Sequence, residues 1–462
     1  MIRSFVPDGR DIRALVRLAV PIATVQVGLM LMGVVDTIIV GHVSTRELAA
    51  ASLGNLYFYG LAQFGIGVVW AVDPIVSQAM GARDNEAAAL GIQRGLALGI
   101  ALSVAMTALC IPAAAVYTAL RQPAEVIPRA AAFVHTSAIS LLSTLLFITL
   151  RQSLQAMKYT RPIVGTILAG NILNLLLNWV FVFGHLGAPA MGAVGSALSS
   201  VIARYFMLAL LVMLSWHRVR PMLRPWRRAA LAREPLLRVL RIGVPIGLQN
   251  CVEFTTFASI SVFAGWFGAE AIGGHQVAIN LASLMFMVPM GIGSAASVLV
   301  GHAIGEGDPS HARRFAASAL ICGAGFMALS ACVLLAIPGV FARAYTSVPG
   351  VVAVAAALIP IAGVFQVFDG LQVVSIGVLR GIGDTRTPMV VNVIGFWLLG
   401  LPLSLGLAFG LGLGPKGLWW GLAAGLGVVA LVLIARVRVR LGGSLERLRI
   451  EEPVRQADAA GV

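Results

Sequence analysis

Four acidic residues stand inside long apolar stretches of this chain: Asp36, Asp73, Glu253 and Asp369. An ionisable side chain at the middle of a membrane segment costs about 2.5–3.5 kcal/mol on insertion scales, so its presence points to use. Asp36 lies in Gly33-Val34-Val35-Asp36-Thr37. A later stretch carries Asn171, Asn174 and Asn178, spaced by three and four residues, which puts the amides on one helical face. Carboxylate and amide carbonyl oxygens are hard ligands for a small cation, and a carboxylate also exchanges protons. Asp36 with Asn174 and Asn178 therefore reads as a Na⁺ or proton site. Interhelical amide packing, worth about 0.6 kcal/mol per contact, is the alternative.

The second half has its own polar stripes. Gln249 and Glu253 share a face, and Thr256 extends it. Gln366, Asp369 and Gln372 follow one another at steps of three. Polar faces of membrane helices turn inward, so Glu253 and Asp369 are expected to face one cavity, where a cation and a basic substrate compete. Structural hydrogen bonding is the competing explanation. A further stretch holds His275, Gln276 and Asn280, then Met285-Phe286-Met287-Val288-Pro289-Met290. Methionine-rich surface suits a promiscuous apolar pocket, though simple packing is the commoner use. Asp73 precedes Pro74 and reads as the cap of a bend; Arg204 reads as a mid-span partner for an acid or a headgroup.

The elements that must position these residues are membrane helices. Of 462 residues, 59% are hydrophobic and 11% charged, against about 25% charged in soluble domains; the mean hydropathy is +0.92. Windows of roughly 20 apolar residues give twelve spans, near 15–40, 48–79, 92–117, 130–156, 162–183, 191–214, 242–266, 271–303, 315–338, 351–379, 388–410 and 416–435. The runs are continuously apolar, unlike the alternating strands of a membrane barrel. The net charge of +14 suggests nucleic acid at first sight. Most of the basic residues, however, fall on one set of loop edges, among them Arg3, Arg10, Arg13, Arg17, Arg151, Arg380 and Arg455. That bias places those loops, and both termini, in the cytoplasm. The first apolar run is too long for a signal-peptide core, so it is expected to remain as the first helix. Cys110, Cys251, Cys322 and Cys332 show no paired spacing and read as small buried hydrophobes.

The chain repeats itself. Val20-Pro21-Ile22 returns as Val244-Pro245-Ile246, and Gln78-Ala79-Met80-Gly81 with Asp84 returns as His302-Ala303-Ile304-Gly305 with Asp308. Six spans per copy give the two copies the same membrane orientation, the parallel arrangement of some secondary transporters. The expected organisation is an N-terminal six-helix lobe over 1–214 and an Arg-rich cytoplasmic linker over 215–241. A C-terminal six-helix lobe over 242–435 and a cytoplasmic tail over 436–462 complete it.

These residues together resemble the multidrug and toxic compound extrusion (MATE) family, in its bacterial NorM-type branch. The resemblance rests on Val35-Asp36-Thr37 with Gly41-His42, Gln78-Ala79-Met80-Gly81-Ala82 and the asparagines of the fifth span. In the second half it rests on Gly274-His275-Gln276-Val277-Ala278, Pro289-Met290-Gly291-Ile292-Gly293, Gly301-His302-Ala303-Ile304-Gly305 and Leu379-Arg380-Gly381-Ile382-Gly383-Asp384-Thr385. It implies an all-α membrane protein of twelve transmembrane helices, in two six-helix lobes that form a V and alternate their access. It implies a secondary active exporter of organic cations or drugs, in antiport with Na⁺ or H⁺, in a bacterial inner membrane. Asp36, Asn174 and Asn178 match the first-lobe cation residues, and would be the metal ligands if the ion is Na⁺. Glu253 and Asp369 match the acidic pair of the second-lobe cavity, with Gln276 and Met287 as further substrate contacts. Pro21 matches the proline at which the first helix bends, and Ser196 and Ser199 weakly match the rest of the first-lobe site. No enzyme activity, cofactor or nucleic-acid partner is expected; lipids surround a monomer. A flippase for lipid-linked saccharides is the nearest rival, and it is expected to line its cavity with Arg and Lys. No His-Glu metal motif, nucleophile elbow or phosphate loop points to a membrane enzyme.

Overall fold

The structure, a computed structural model, describes residues 7–450. Arg3 and Arg455 lie outside the described residues. The first six membrane helices are α1 (Gly9–Gly41), α2 (Thr45–Gly81), α3 (Asn85–Cys110), α4 (Ile127–Ala138 and Ser140–Ala156, bent by 43°), α5 (Arg161–Phe183) and α6 (Ala193–Leu223). The second six are α7 (Arg233–Gly265), α8 (Ala269–Gly305), α9 (Pro309–Ala336), α10 (Pro349–Ile382), α11 (Arg386–Gly410) and α12 (Pro415–Gly442). Twelve helices in two lobes result, in the order the hydropathy windows gave. Ten of these are long and apolar enough by themselves to cross a membrane, and the bent α4 makes eleven. The twelfth, α7, is not among them, because Gln249, Asn250, Glu253, Thr255 and Thr256 break its apolar run.

Helix starts follow local chemistry. Asp8 caps α1 in a reciprocal capping box with Asp11, and Ser44 caps α2 by accepting from the Glu47 N–H. Asp84 caps α3 and Asp308 caps α9, each through the N–H three residues on. One short motif thus ends a span and starts the next in both copies.

Between helices in lipid, close packing supplies the association, because tails are as apolar as leucine. Small residues therefore mark the seams. On α12, Gly417, Gly421 and Gly425 lie against Ala408, Ser404 and Gly400 of α11. A Cβ on Gly377 of α10 would fall 2.1 Å from the Gly293 carbonyl oxygen of α8. The lobes meet by the same device. A Cβ on Gly81 would fall 2.2 Å from the His302 carbonyl oxygen, and one on Gly305 would fall 2.1 Å from that of Gln78. The repeated motif thus contacts its own copy reciprocally, as the two faces of a two-fold contact do.

The lobes also exchange helix ends. Leu15, Leu18, Ala19 and Ile22 of α1 are buried in the core formed by α8, α9, α10 and α12. Asp11 reaches Arg314 at 3.0 Å and His311 at 3.1 Å. In return, the start of α7 packs on α2, with Gly243 against Val68 and Gly247 against Phe64. The far half of α1 stays in its own lobe, where Gly28 meets Ile167 and its carbonyl accepts from Asn171.

The segment after α12 does not trail away. Arg447 pairs with Asp84 at 2.8 Å, the Leu448 N–H donates to Gln78 Oε1, and Arg238 donates to the Ile450 carbonyl. These residues strap the second lobe to the first at the end where the termini lie. Residues 443–450 were expected only as tail.

Candidate functional site

In the first lobe, both carboxylate oxygens of Asp36 accept short hydrogen bonds. Asn178 Nδ2 donates to Oδ1 at 2.7 Å, and the Ser200 hydroxyl donates to Oδ2 at 2.7 Å. Asn174 Nδ2 donates in turn to Ser200 Oγ at 3.4 Å. Helices α1, α5 and α6 converge here, and Asn174 and Asn178 are fully buried. Their amide oxygens, Asn174 Oδ1 and Asn178 Oδ1, are buried without a partner among the described residues. The cluster therefore holds a carboxylate with two spare oxygen ligands, a donor set suited to a small hard cation. Asn171, the third amide on the stripe, turns to backbone carbonyls of Gly28 and Ile167. Ser199 donates to Gly195 on its own helix. Ser200, one residue on from the expected Ser199, supplies the hydroxyl at Asp36.

In the second lobe, three amides converge on one oxygen. Glu253 Oε1 accepts from Gln249 at 3.2 Å, Gln372 at 3.0 Å and Asn392 at 2.5 Å. Asn392 closes the first turns of α11, directly before a stretch wound as π-helix, Val393–Gly400. Such wide turns recur at functional sites. Asp369 lies close enough to interact with Glu253 electrostatically, and it accepts no hydrogen bond among the described residues. Gln366 turns away to Ser330.

Both clusters open on one cavity of about 670 Å³ between the lobes. Asp36, Glu253 and Asp369 line it, together with Phe58, Tyr59, Phe147, Phe254, Phe257, Phe286 and Phe365, and with Met30, Met207, Met287 and Met290. Its size suits a drug-sized molecule, and an apolar lining with a few polar groups is the usual form of a ligand pocket. Met287 is on the wall. Gln276 is not: it is exposed and donates to Asn280 on its own helix. Pro21 sits inside the unbroken helix α1, where it leaves the carbonyl four residues earlier without its helical donor.

Three arginines share the wall with the acids. Arg204 donates to Ser140 Oγ at 2.8 Å and to the Tyr59 hydroxyl at 2.9 Å. Arg380 is buried over the Trp70 ring, 4.7 Å from its centroid, so it spans the two lobes. Arg151 is buried and donates to Gln26 Oε1 at 3.0 Å. Residues 151 and 380 were expected at loop edges; both lie within helices and face the cavity. Asp73 is buried at the break inside α2, within the first turn of Val72–Gly81, hydrogen-bonded by Ser77. The expected cap is not made: Ala71 is the N-cap of this segment and no side chain bonds its backbone there. Asp73 instead lies in the first turn, where a carboxylate is favourably placed for the helix dipole, and Arg380 feels its charge. The four cysteines are free.

Ser200, Asn392, Arg151 and Arg380 were not foreseen as site residues. Asn392 carried the signal that picked out Asn174, an amide in an apolar run.

Two intertwined six-helix lobes around a cavity with half-buried acids on both walls define a membrane transporter of the MATE fold. The fold matches the eukaryotic MATE transporter AtDTX14 with a TM-score of 0.85, at 21% identity over 94% of this chain and 98% of that one. It matches an outward-facing MATE family transporter with a TM-score of 0.84 at 18% identity, over 95% and 97% of the two chains. The MatE family model matches twice, at residues 21–180 and 245–405, one match per repeat. Multidrug resistance protein NorM of Burkholderia vietnamiensis is 34% identical over 431 residues, 92% of this chain and 93% of that protein. Multidrug resistance protein MdtK of Edwardsiella ictaluri is 32% identical over 440 residues, covering 93% and 95%. The chain belongs to the MATE family, and it is similar to the NorM-type bacterial members.

Proposed function

We infer that this chain exports chemically diverse amphiphilic organic cations in exchange for Na⁺ or H⁺. The observation that carries the reading is the single cavity of about 670 Å³, walled by aromatics and methionines and reached by acids of both lobes. The names of the NorM and MdtK relatives support it. Asp36, Asn174 and Asn178 hold the coupling ion in this reading, as ligands if it is Na⁺; Glu253 and Asp369 respond to both ion and cargo. Met287 contacts cargo, Gln276 lies outside the cavity wall and takes no part in binding, and Pro21 is the hinge of α1.

The protein sits in the inner membrane as a monomer among lipids, with both termini and the linker in the cytoplasm, as the basic loop edges suggest. With that orientation, the reciprocal Gly81 and Gly305 contact closes the cytoplasmic end of the lobes. Exchange then requires this end to open when the ion is gone. Coupling arises only if ion and cargo differ in affinity between the two access states. The work is transport without bond chemistry, and it needs no cofactor. The three cavity arginines weaken the argument that only acids line the wall, so a saccharide-lipid flippase keeps one supporting observation. The aromatic and methionine lining favours an apolar cargo body.

Proteoliposomes with an imposed Na⁺ or proton gradient and a fluorescent organic cation test this. One of the two gradients is expected to drive dye movement. Dye movement that ignores both gradients would overturn the antiport reading.

A further inference from the structure

The six charged side chains on the cavity wall are not equally compensated. Asp36 is bonded by Asn178 and Ser200, and Arg204 lies within its field. Glu253 takes three amide donors. Arg380 stacks on Trp70 between Asp73 and Glu253, which both act on it. Two ionisable groups are left over. Asp369 on α10 accepts no hydrogen bond among the described residues. Arg151 on α4 has no carboxylate within ion-pair distance among the described residues, and its one hydrogen bond goes to neutral Gln26. Arg151 is 4% exposed, and its Nε is buried without a partner. A buried charge without a counter-charge is costly, and a guanidinium offers a planar fork that matches a carboxylate. The residue lies toward the closed end of the cavity. On α1, its partner Gln26 stands ten residues, about 15 Å, from Asp36.

We propose that Arg151 is an anion subsite, so that the cavity takes amphiphilic cargo carrying a carboxylate as well as a cationic group. The carboxylate docks on Arg151 of the first lobe, and the cationic group lies toward Asp369 of the second. The cargo thereby supplies both missing counter-charges and touches both lobes at once. Arg151 is then a specificity-determining residue: purely cationic cargo enters without using it, while carboxylate-bearing cargo depends on it. The proposal rests on the export reading above.

A matched pair of dyes separates the two ideas. Rhodamine 19 carries a free carboxylate, and rhodamine 6G is its ethyl ester, on one cationic aromatic body. Fluorescence binding to the purified full-length protein is measured for both. Wild type is expected to bind the acid at least as tightly as the ester. Arg151→Gln is expected to weaken the acid by about tenfold or more, the usual worth of a charge-assisted hydrogen bond, and to leave the ester within about twofold. Arg151→Lys, which keeps the charge, is expected to retain most of the preference for the acid. Equal losses for both dyes, or no loss for either, mean that Arg151 only props α1 through Gln26, and they overturn the proposal. So does a wild-type preference for the ester of about tenfold, a result that needs no variant to fold. Failure of wild type to bind either dye overturns the export reading itself, and the proposal with it.

Discussion

The two lobes come from one repeat, yet their polar clusters stand at different places in it. The two family-model matches start at residues 21 and 245. At that spacing Asp36 corresponds to Ile260, which is fully buried in an apolar core, and Glu253 corresponds to Leu29 on the cavity wall. Leu29 lies seven residues before Asp36, about 10 Å along α1. Duplication therefore copied the scaffold, the loop motif and the reciprocal glycine contact, and left the ionisable groups to diverge. The chemistry differs as well. The first-lobe acid has both oxygens bonded and two spare amide oxygens beside it. The second-lobe pair has one oxygen crowded by three donors and a second acid with none among the described residues. In the proposed reading the first holds the ion; the second keeps one acid fixed by hydrogen bonds and one without them.

That division of labour predicts its largest effect at Asp36. Asp36→Asn removes the charge while an amide remains beside Asn178 and Ser200. Gradient-driven dye efflux is expected to fall at least about tenfold with the protein still in the membrane. Ser200→Ala, which removes one of two donors, is expected to cost about 1.5–3 kcal/mol at the ionised group and to slow efflux several-fold. Ser199→Ala, whose hydroxyl serves its own helix, should leave efflux within about twofold. Undiminished efflux by Asp36→Asn would remove the ion-holding role from the first lobe.

The second lobe should split stability from binding. Glu253→Gln keeps a carbonyl oxygen for the three amide donors but removes the charge that strengthens those bonds, so it is expected to lose about 1–3 kcal/mol of stability, read as a lowered melting temperature. Asp369→Asn disturbs no hydrogen bond and is expected to stay within about 0.5 kcal/mol. It should weaken binding of a permanently charged organic cation by about tenfold. The reverse pattern, with Asp369→Asn unstable and Glu253→Gln neutral, would make Asp369 the structural acid.

Reading these lobes from sequence worked where the signal was an exception and failed where it was a direction. Acids and amides in apolar runs stand out, which is how Asp36, Asn174, Asn178, Glu253 and Asp369 were found together with the spans that carry them. The same rule applied to α11 would have found Asn392. Facing is another matter, because a helix apolar all round has no periodicity to orient it. Gln276 was thus placed on the cavity wall, whereas it faces outward. Arg151 and Arg380 lie within a turn or two of a helix end, where basic residues normally mark topology. Only tertiary packing shows that they point inward. The exchange of α1 and α7 ends between lobes is equally silent, since packing surfaces of glycine and alanine look alike on any helix.

The smallest expected effect tests whether the lobes also differ at their equivalent loops. Asp84 and Asp308 both cap the following helix, but among the described residues only Asp84 also pairs with a basic side chain, Arg447 of the strap. The Ala87 N–H, and after it Arg447, hold the Asp84 carboxyl below its ordinary value of 3.8. A lowered value means that the contribution is complete above 3.8 and is lost as pH falls through the folded-state value. Asparagine caps a helix about as well as aspartate, so Asp84→Asn and Asp308→Asn both keep the cap and remove a charge. Both partners of the Asp84 pair are about a third exposed, so screening keeps its worth below about 1 kcal/mol. Asp84→Asn is therefore expected to lower the melting temperature slightly more than Asp308→Asn. That gap should be flat from about pH 5 to about pH 8 and should close in stronger acid. Equal shifts for the two variants would show that the strap holds through Gln78 and Leu448 alone, and that the lobes are alike at this loop after all.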